Sequence, residues 1–337
     1  MTEHTVGPAE VAIITRTKNR PVLLRRAVQD VLAQKFSNWH LIIVNDGGEV
    51  AEVDAIVAAA TGLNNRVTVL HHARSLGMEA ASNAGIESSE SEFLSIHDDD
   101  DTWHPEFLAQ TVEYLRTHDD AGVGVRTEIV LEEIDGSRIK ETGRVPFAED
   151  VSSLVLGDAL RYNRCVPISL LYRRDVHALV GGYDETLNAV GDWEFLLRLL
   201  QQHTLGFIDG EPLAFWHHRH GAQGTEGNSV LTGKEEHQRF DKLVRDRYLQ
   251  DYVKQHGLGG VLFLAGEGKA QADHLHQRLN YSEELLHELR ERAIRSEERM
   301  TALENSISDA SLVSLLRRRY RRLKGRLKRR LGRSAGS

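Results

Sequence analysis

Residues 96–105 read IHDDDDTWHP, four consecutive carboxylates, Asp98 to Asp101, between a short apolar run and a proline. Like charges this close raise one another's pKa unless something cationic sits among them. Alternate side chains of an extended segment point the same way, so Asp98 and Asp100 are expected to face one crevice together while Asp99 points elsewhere. Such a pair suits Mg2+ or Mn2+, which takes one or two carboxylates together with substrate phosphates. Asp101 is then expected to cap a helix beginning near Trp103 or Pro105. A second cluster, HHRH at 217–220, would place His218 and His220 on one face of a strand and His217 on the other. With Cys165 the chain's one cysteine, a separate zinc centre is not expected; Cys165 itself reads as a small buried residue.

The elements that must position these groups alternate. VAIIT (11–15), HLIIVND (40–46), RVTVLHH (66–72) and SEFLSIH (91–97) read as strands, separated by helical patterns that begin at Pro21, Val53 and Gly77. A further helix is expected after the aspartates. This order predicts an α/β fold, a mostly parallel sheet flanked by helices. Ligands of such sheets sit beyond the carboxyl ends of the strands. Arg16 to Arg20, Asn45-Asp46, His71 to Arg74 and Asp98 to Asp101 should therefore converge. From 121 to 145 the pattern becomes a hairpin with an Asp-Gly turn. Residues 166–172 and 206–220 read as strand, and 191–203 and 233–255 as helices.

Charge is unevenly distributed. Residues 1–309 hold 31 Lys and Arg against 50 Asp and Glu, a net −19, whereas residues 310–337 hold eleven basic and no acidic residues. A body that acidic does not suit nucleic acid. GLGGVLFLAGEG (257–268) reads as a Gly-rich linker. After it, Leu275, Leu279, Ser282, Leu286, Leu289, Ala293, Ser296, Met300, Leu303 and Ile307 recur in steps of four and three, the seam of a coiled coil that pairs chains. Leu316, Tyr320, Leu323 and Leu327 continue an apolar stripe among arginines, which suits an anionic membrane surface or an acidic partner. The first residues carry no basic-then-apolar signal, and no apolar run approaches a membrane span, so a cytoplasmic protein, peripheral at most to the inner face of a membrane, is expected.

Three stretches together resemble the inverting glycosyltransferases of family 2, which have the GT-A fold. They are VAIITRTKNRPVLLRRAVQDVLAQKFSNWHLIIVNDGG at 11–48, GMEAASNAGI with FLSIHDDDDTWHPEFL at 77–108, and GGYDETLNAVGDWEFLLRL at 181–199. The resemblance implies a nucleotide-sugar site formed by Thr17, Asn19, Arg20 and Asp46, with Asp46 reaching the base. It maps the family's DXD motif onto Asp98-Asp99-Asp100, with Asp98 and Asp100 holding Mn2+ or Mg2+ and Asp98 and Asp99 beside the donor. His220, or else His218, would lie near the metal. The catalytic base of the family falls on Asp192, but its preceding Glu is here Gly191; Arg16, Lys18, Asn45, Ser82 and His97 are further departures. The implied layout is a GT-A domain at 1–256, with a nucleotide-sugar half at 10–120 and an acceptor half at 121–230. A linker at 257–268, a coiled-coil helix at 269–314 and a basic tail at 315–337 would follow. The implied reaction moves a sugar from a nucleoside-diphosphate donor to a hydroxyl of a glycan or lipid-linked glycan. Two other readings share these features: a sugar-nucleotide nucleotidyltransferase, though TRTKNRP lacks the glycines of a triphosphate loop, and an inactive transferase-like coiled-coil scaffold.

Overall fold

The computed structural model describes residues 9–136, 138–219, 234–309 and 312–331. The chain packs as two units, Met1–Leu249 and Gln250–Ser337.

In the first unit the strands β1 (Val11–Thr17), β2 (Trp39–Asn45), β3 (Val67–His71) and β4 (Phe93–Ile96) alternate with the helices α1 (Pro21–Leu32), α2 (Val50–Ala59) and α3 (Met78–Glu87). β1 runs parallel to both β2 and β4, and β2 parallel to β3. A two-residue β5 (Thr102–Trp103) and α4 (Phe107–Thr117) follow the aspartates; then come β6 (Gly122–Val125), β7 (Thr127–Asp135) and β8 (Arg138–Phe147). The short α5 (Leu156–Ala159) leads to β9 (Leu170–Arg173), which is antiparallel to both β4 and β6. After α6 (His177–Val180) and α7 (Gly191–Gln202), β10 (Leu205–Ile208) and β11 (Ala214–His218) complete the strands, and α8 spans Lys234–His256. The main sheet has the order β10-β6-β9-β4-β1-β2-β3; a smaller one has the order β5-β11-β7-β8.

Period-two alternation along β1 divides the interior. Val11 and Ile13 pack with Leu24 and Val28 of α1, Val53 of α2 and Leu108 of α4. Ala12 and Ile14 pack with Ala81 of α3 and with Phe195 and Leu199 of α7. α3 lies close on β1 because residue 85 is glycine: a Cβ there would come within 2.5 Å of Ile14 Cγ2. The sheet is thus buried on both faces, as its near-continuous apolar strands require.

The expected hairpin is β7–β8, turning at Gly136, while β6 joins the main sheet instead. Two expectations are corrected. Asp101 caps no helix: α4 begins at Phe107 with Glu106 at its cap position, and Asp101 instead accepts a hydrogen bond from the His217 amide at 2.9 Å. Residues 257–268 are not a linker of twelve residues. α8 stops at Gly257, whose φ of +77° ends the helix, and α9 (Gly259–Asp309) begins two residues later.

The second unit holds α9, 51 residues and so about 77 Å long, and α10 (Leu312–Leu331). Leu275, Leu279, Leu286, Leu289, Met300, Leu303 and Ile307 are all exposed along α9, and Leu316, Tyr320, Leu323 and Leu327 along α10. Among the described residues no helix is long and apolar enough to cross a membrane.

Candidate active site

β1 and β4 run side by side in the same direction, so the residues just past their carboxyl ends meet. There a cavity of about 90 Å³ is lined by Arg16, Glu79, Asp98, Asp100, Asp101 and Asp192, with Met78, Val166, Pro167, Val190, Trp216 and His237. Asp98, Asp100 and Asp101 line it and Asp99 does not; residues 98–101 form a turn, closed by the Asp101 amide on the Asp98 carbonyl at 3.2 Å, and not the extended segment that was expected. Asp99 turns back under β1, accepting hydrogen bonds from Thr17 Oγ1 at 2.7 Å and Arg20 at 3.1 Å.

The carboxylates are held by guanidinium groups. Both the Nε and an Nη of Arg16 reach Asp98 Oδ1, and the other Nη reaches Ser82 Oγ at 3.2 Å. Arg20 bridges Asp99 and Asp100, and Arg219 pairs with Asp100 and Glu132. Arg219 and Glu132 are both fully buried, and Arg26 and His217 complete the cluster through Glu132. Burial alone would push Asp100 up, but Arg20, Arg219 and Arg26 outweigh it and hold its pKa below the usual carboxylate value. Asp99, more deeply dependent on Arg20, is pushed up to about 6 by burial, and Asp101 well above its usual value by burial and the charges of Asp100 and Asp98. Burial is likewise overcome at Glu132, where His217 and Arg26 hold the carboxylate at about 2.

Val190, which also lines the cavity, occupies the left-handed region at φ 61°, an uncommon place for a β-branched residue. That turn starts α7 so that Asp192, in its first helical turn, enters the cavity. Asp192 Oδ2 accepts a hydrogen bond from Asn163 Nδ2 at 2.7 Å. Burial raises its pKa, opposed by the Trp193 amide and the charge of Arg16. Gly191 has a local reason: a Cβ would lie 2.2 Å from Glu79 Oε1.

Other predicted residues support the cavity from a distance. Asp46 accepts four hydrogen bonds from one loop, from His72 Nδ1, Ser75 Oγ and the amides of Leu76 and Gly77. Asn19, at φ 55°, accepts the Glu49 amide at the start of α2. Thr17 and Arg20 work through Asp99 and Asp100 rather than lining the cavity themselves. His218 lies on β11, and His220 falls outside the described residues.

The donor set is compatible with a divalent cation in kind: Asp98 and Asp100 offer hard oxygen donors, and both guanidinium contacts of Asp98 fall on Oδ1. Among the described residues no group of three or more His, Cys, Asp or Glu is arranged to hold a metal. An ion here would thus be of the sort that takes two carboxylates and completes its shell from a ligand's phosphates and water.

Sequence reasoning missed Glu79, Asn163, Glu132 and Arg219, and gave Arg16 a place among the converging strand ends but no role. A run of four acids demands nearby cations, which is a signal for Arg16, Arg20 and Arg219; nothing local marks Asn163.

Residues 12–165 match the family described as glycosyl transferase family 2. The uncharacterized glycosyltransferase YwdF of Bacillus subtilis is 24% identical over 256 residues, covering 74% of this chain and 85% of that protein. An uncharacterized glycosyltransferase of a Nostoc species is 26% identical over 261 residues, covering 76% and 79%. Among solved structures, residues 1–349 of S. aureus TarS in complex with UDP-GlcNAc align with a TM-score of 0.51 at 14% identity, over 63% of this chain and 60% of that one. At that identity the likeness speaks for the fold alone.

Proposed function

We propose, from the match of residues 12–165 to glycosyltransferase family 2 and the likeness of fold, that this chain is a glycosyltransferase of that family and transfers a sugar from a nucleoside-diphosphate donor to a hydroxyl of a glycan or lipid-linked glycan, with inversion. The observation that carries this reading is one cavity lined by Asp98, Asp100 and Arg16 together with Asp192. The first three suit a diphosphate and its counter-ion; Asp192 suits proton removal.

Asp98 and Asp100 would hold Mg2+ or Mn2+, which when bound neutralises charge on the leaving diphosphate. Arg16, a fixed cation in the same cavity, adds to that stabilisation without reorganising. Asp192 takes the proton of the acceptor hydroxyl as that oxygen bonds to the anomeric carbon; the bond from that carbon to the diphosphate oxygen breaks, and the nucleoside diphosphate departs. The raised pKa of Asp192 makes it a better base than an exposed carboxylate. Thr17, Asn19, Arg20, Asp46 and Asp99 form the donor side by fixing the loops around it, with Asp46 tying down residues 72–77.

The exposed seam of α9 supports pairing with a second copy. The basic, apolar-striped α10 supports attachment to an anionic membrane surface, where a lipid-linked acceptor resides.

Thermal unfolding with UDP, GDP, dTDP and CMP, each with and without Mn2+, tests the donor site. One nucleotide at about a hundred times its Kd should stabilise by ~2.7 kcal/mol in a Mn2+-dependent way, and Asp98→Asn should remove the effect. No shift with any nucleotide would overturn the reading.

A further inference from the structure

Glu79 lies on α3, away from the acidic run, yet its carboxyl is set into the same cavity as Asp98, Asp100 and Asp192. It is 3% exposed, and its Oε2 has no hydrogen-bond partner among the described residues. A buried carboxylate oxygen left unpaired costs stability. The seat for this carboxyl is also specific. Oε1, Cγ and Cδ of Glu79 lie within 2.7 Å of where a Cβ on Gly191 would stand, so residue 191 must lack one for Glu79 to remain. The groups whose charge bears on Glu79 are Arg16, Asp192 and Asp98. Resting on the donor reading above, Glu79 shares one cavity with the groups assigned to the diphosphate and the group assigned to the attacking hydroxyl. What must lie between those two sets of groups in a transfer reaction is the sugar being transferred.

We infer that Glu79 is a sugar-contacting residue, its Oε2 hydrogen-bonding a hydroxyl of the transferred sugar and Gly191 being the space that admits it. A sugar hydroxyl both donates and accepts, so it satisfies this oxygen whether or not the carboxyl is protonated. No bond to the sugar is made or broken by Glu79; its contribution is orientation and selection.

The test compares nucleotide with nucleotide sugar by calorimetry on the full chain: UDP against UDP-GlcNAc and UDP-glucose, and GDP against GDP-mannose. Wild type, Glu79→Ala, Glu79→Gln and Gly191→Ala are measured, with a thermal midpoint for each. In Glu79→Ala the nucleotide sugar that wild type binds should weaken about 10-fold, the size of one hydrogen bond to a charged group. The bare nucleotide should stay within about 2-fold and the thermal midpoint should be unchanged or higher. Glu79→Gln should recover part of the loss, and Gly191→Ala, which displaces Glu79, should copy Glu79→Ala. Unchanged nucleotide-sugar affinity in Glu79→Ala, or equal losses for nucleotide and nucleotide sugar, would overturn the inference while leaving the donor site standing. Wild type that binds none of these nucleotides or nucleotide sugars would overturn the donor reading and the inference with it.

Discussion

Replacing Glu79 with glutamine should change how stability depends on pH, by an amount that follows from the residue's surroundings. Burial, together with the charges of Asp192 and Asp98 and against that of Arg16, pushes the Glu79 carboxyl from 4.5 up to about 7. The unfolded chain releases this proton near pH 4.5, whereas the folded chain keeps it to about pH 7. Across that window the folded state binds more protons, so stability falls as pH rises. At about 1.36 kcal/mol per pH unit, the wild-type protein loses roughly 3 kcal/mol that the neutral glutamine does not lose. Below pH 4.5 the two proteins titrate alike at this position. Asp99, Asp101 and Glu132 titrate in both and largely cancel in the difference. An unpaired amide at position 79 would add an offset that pH does not move. The assay is urea unfolding of both proteins from pH 4 to 8.5. With typical denaturant slopes, ~3 kcal/mol corresponds to a relative midpoint shift of about 1 M or more between the ends of that range. Midpoint differences that stay flat with pH would refute the argument, since they would mean that Glu79 ionises in the folded state as readily as in water.

Asp192→Asn keeps the shape of the base and removes its proton affinity; kcat should fall by roughly 10² to 10⁴, while the nucleotide-induced thermal shift stays. Rates within a few-fold of wild type, measured as nucleotide release with acceptor present, would exclude Asp192 as the base. Changing Arg321, Arg322 and Lys324 together to glutamine should weaken co-sedimentation with phosphatidylserine-containing vesicles about 100-fold, at about 1 kcal/mol per basic residue near the surface. Equal binding by wild type and variant, or equal binding to neutral vesicles, would remove the membrane role of α10.

The order of strands and helices over residues 10–120 was legible because the pattern is local: short, near-continuous apolar runs bounded by polar loops become strands buried on both faces, and β1, β2 and β4 carry that pattern within themselves. Where expectation failed, the deciding contact was distant in sequence. Asp101 is an excellent cap by type, yet the His217 amide, 116 residues away, takes its oxygen. Glycines at 259, 260, 266 and 268 read as a linker, but a helix runs through them, so their low propensity did not decide the outcome.

What the sequence by itself determined is the acidic run, the strand that delivers it, the helix start carrying Asp192 and the basic end of the chain. Only the tertiary structure decided which cations answer the acids: Arg16, Arg20 and Arg219 come from β1, the loop after it and the end of β11. It alone put Glu79 of α3 against Gly191 of α7. An ion pair or a shared cavity depends on distance in space, and residues 79 and 191 become neighbours only when α3 and α7 pack on the same face of the sheet.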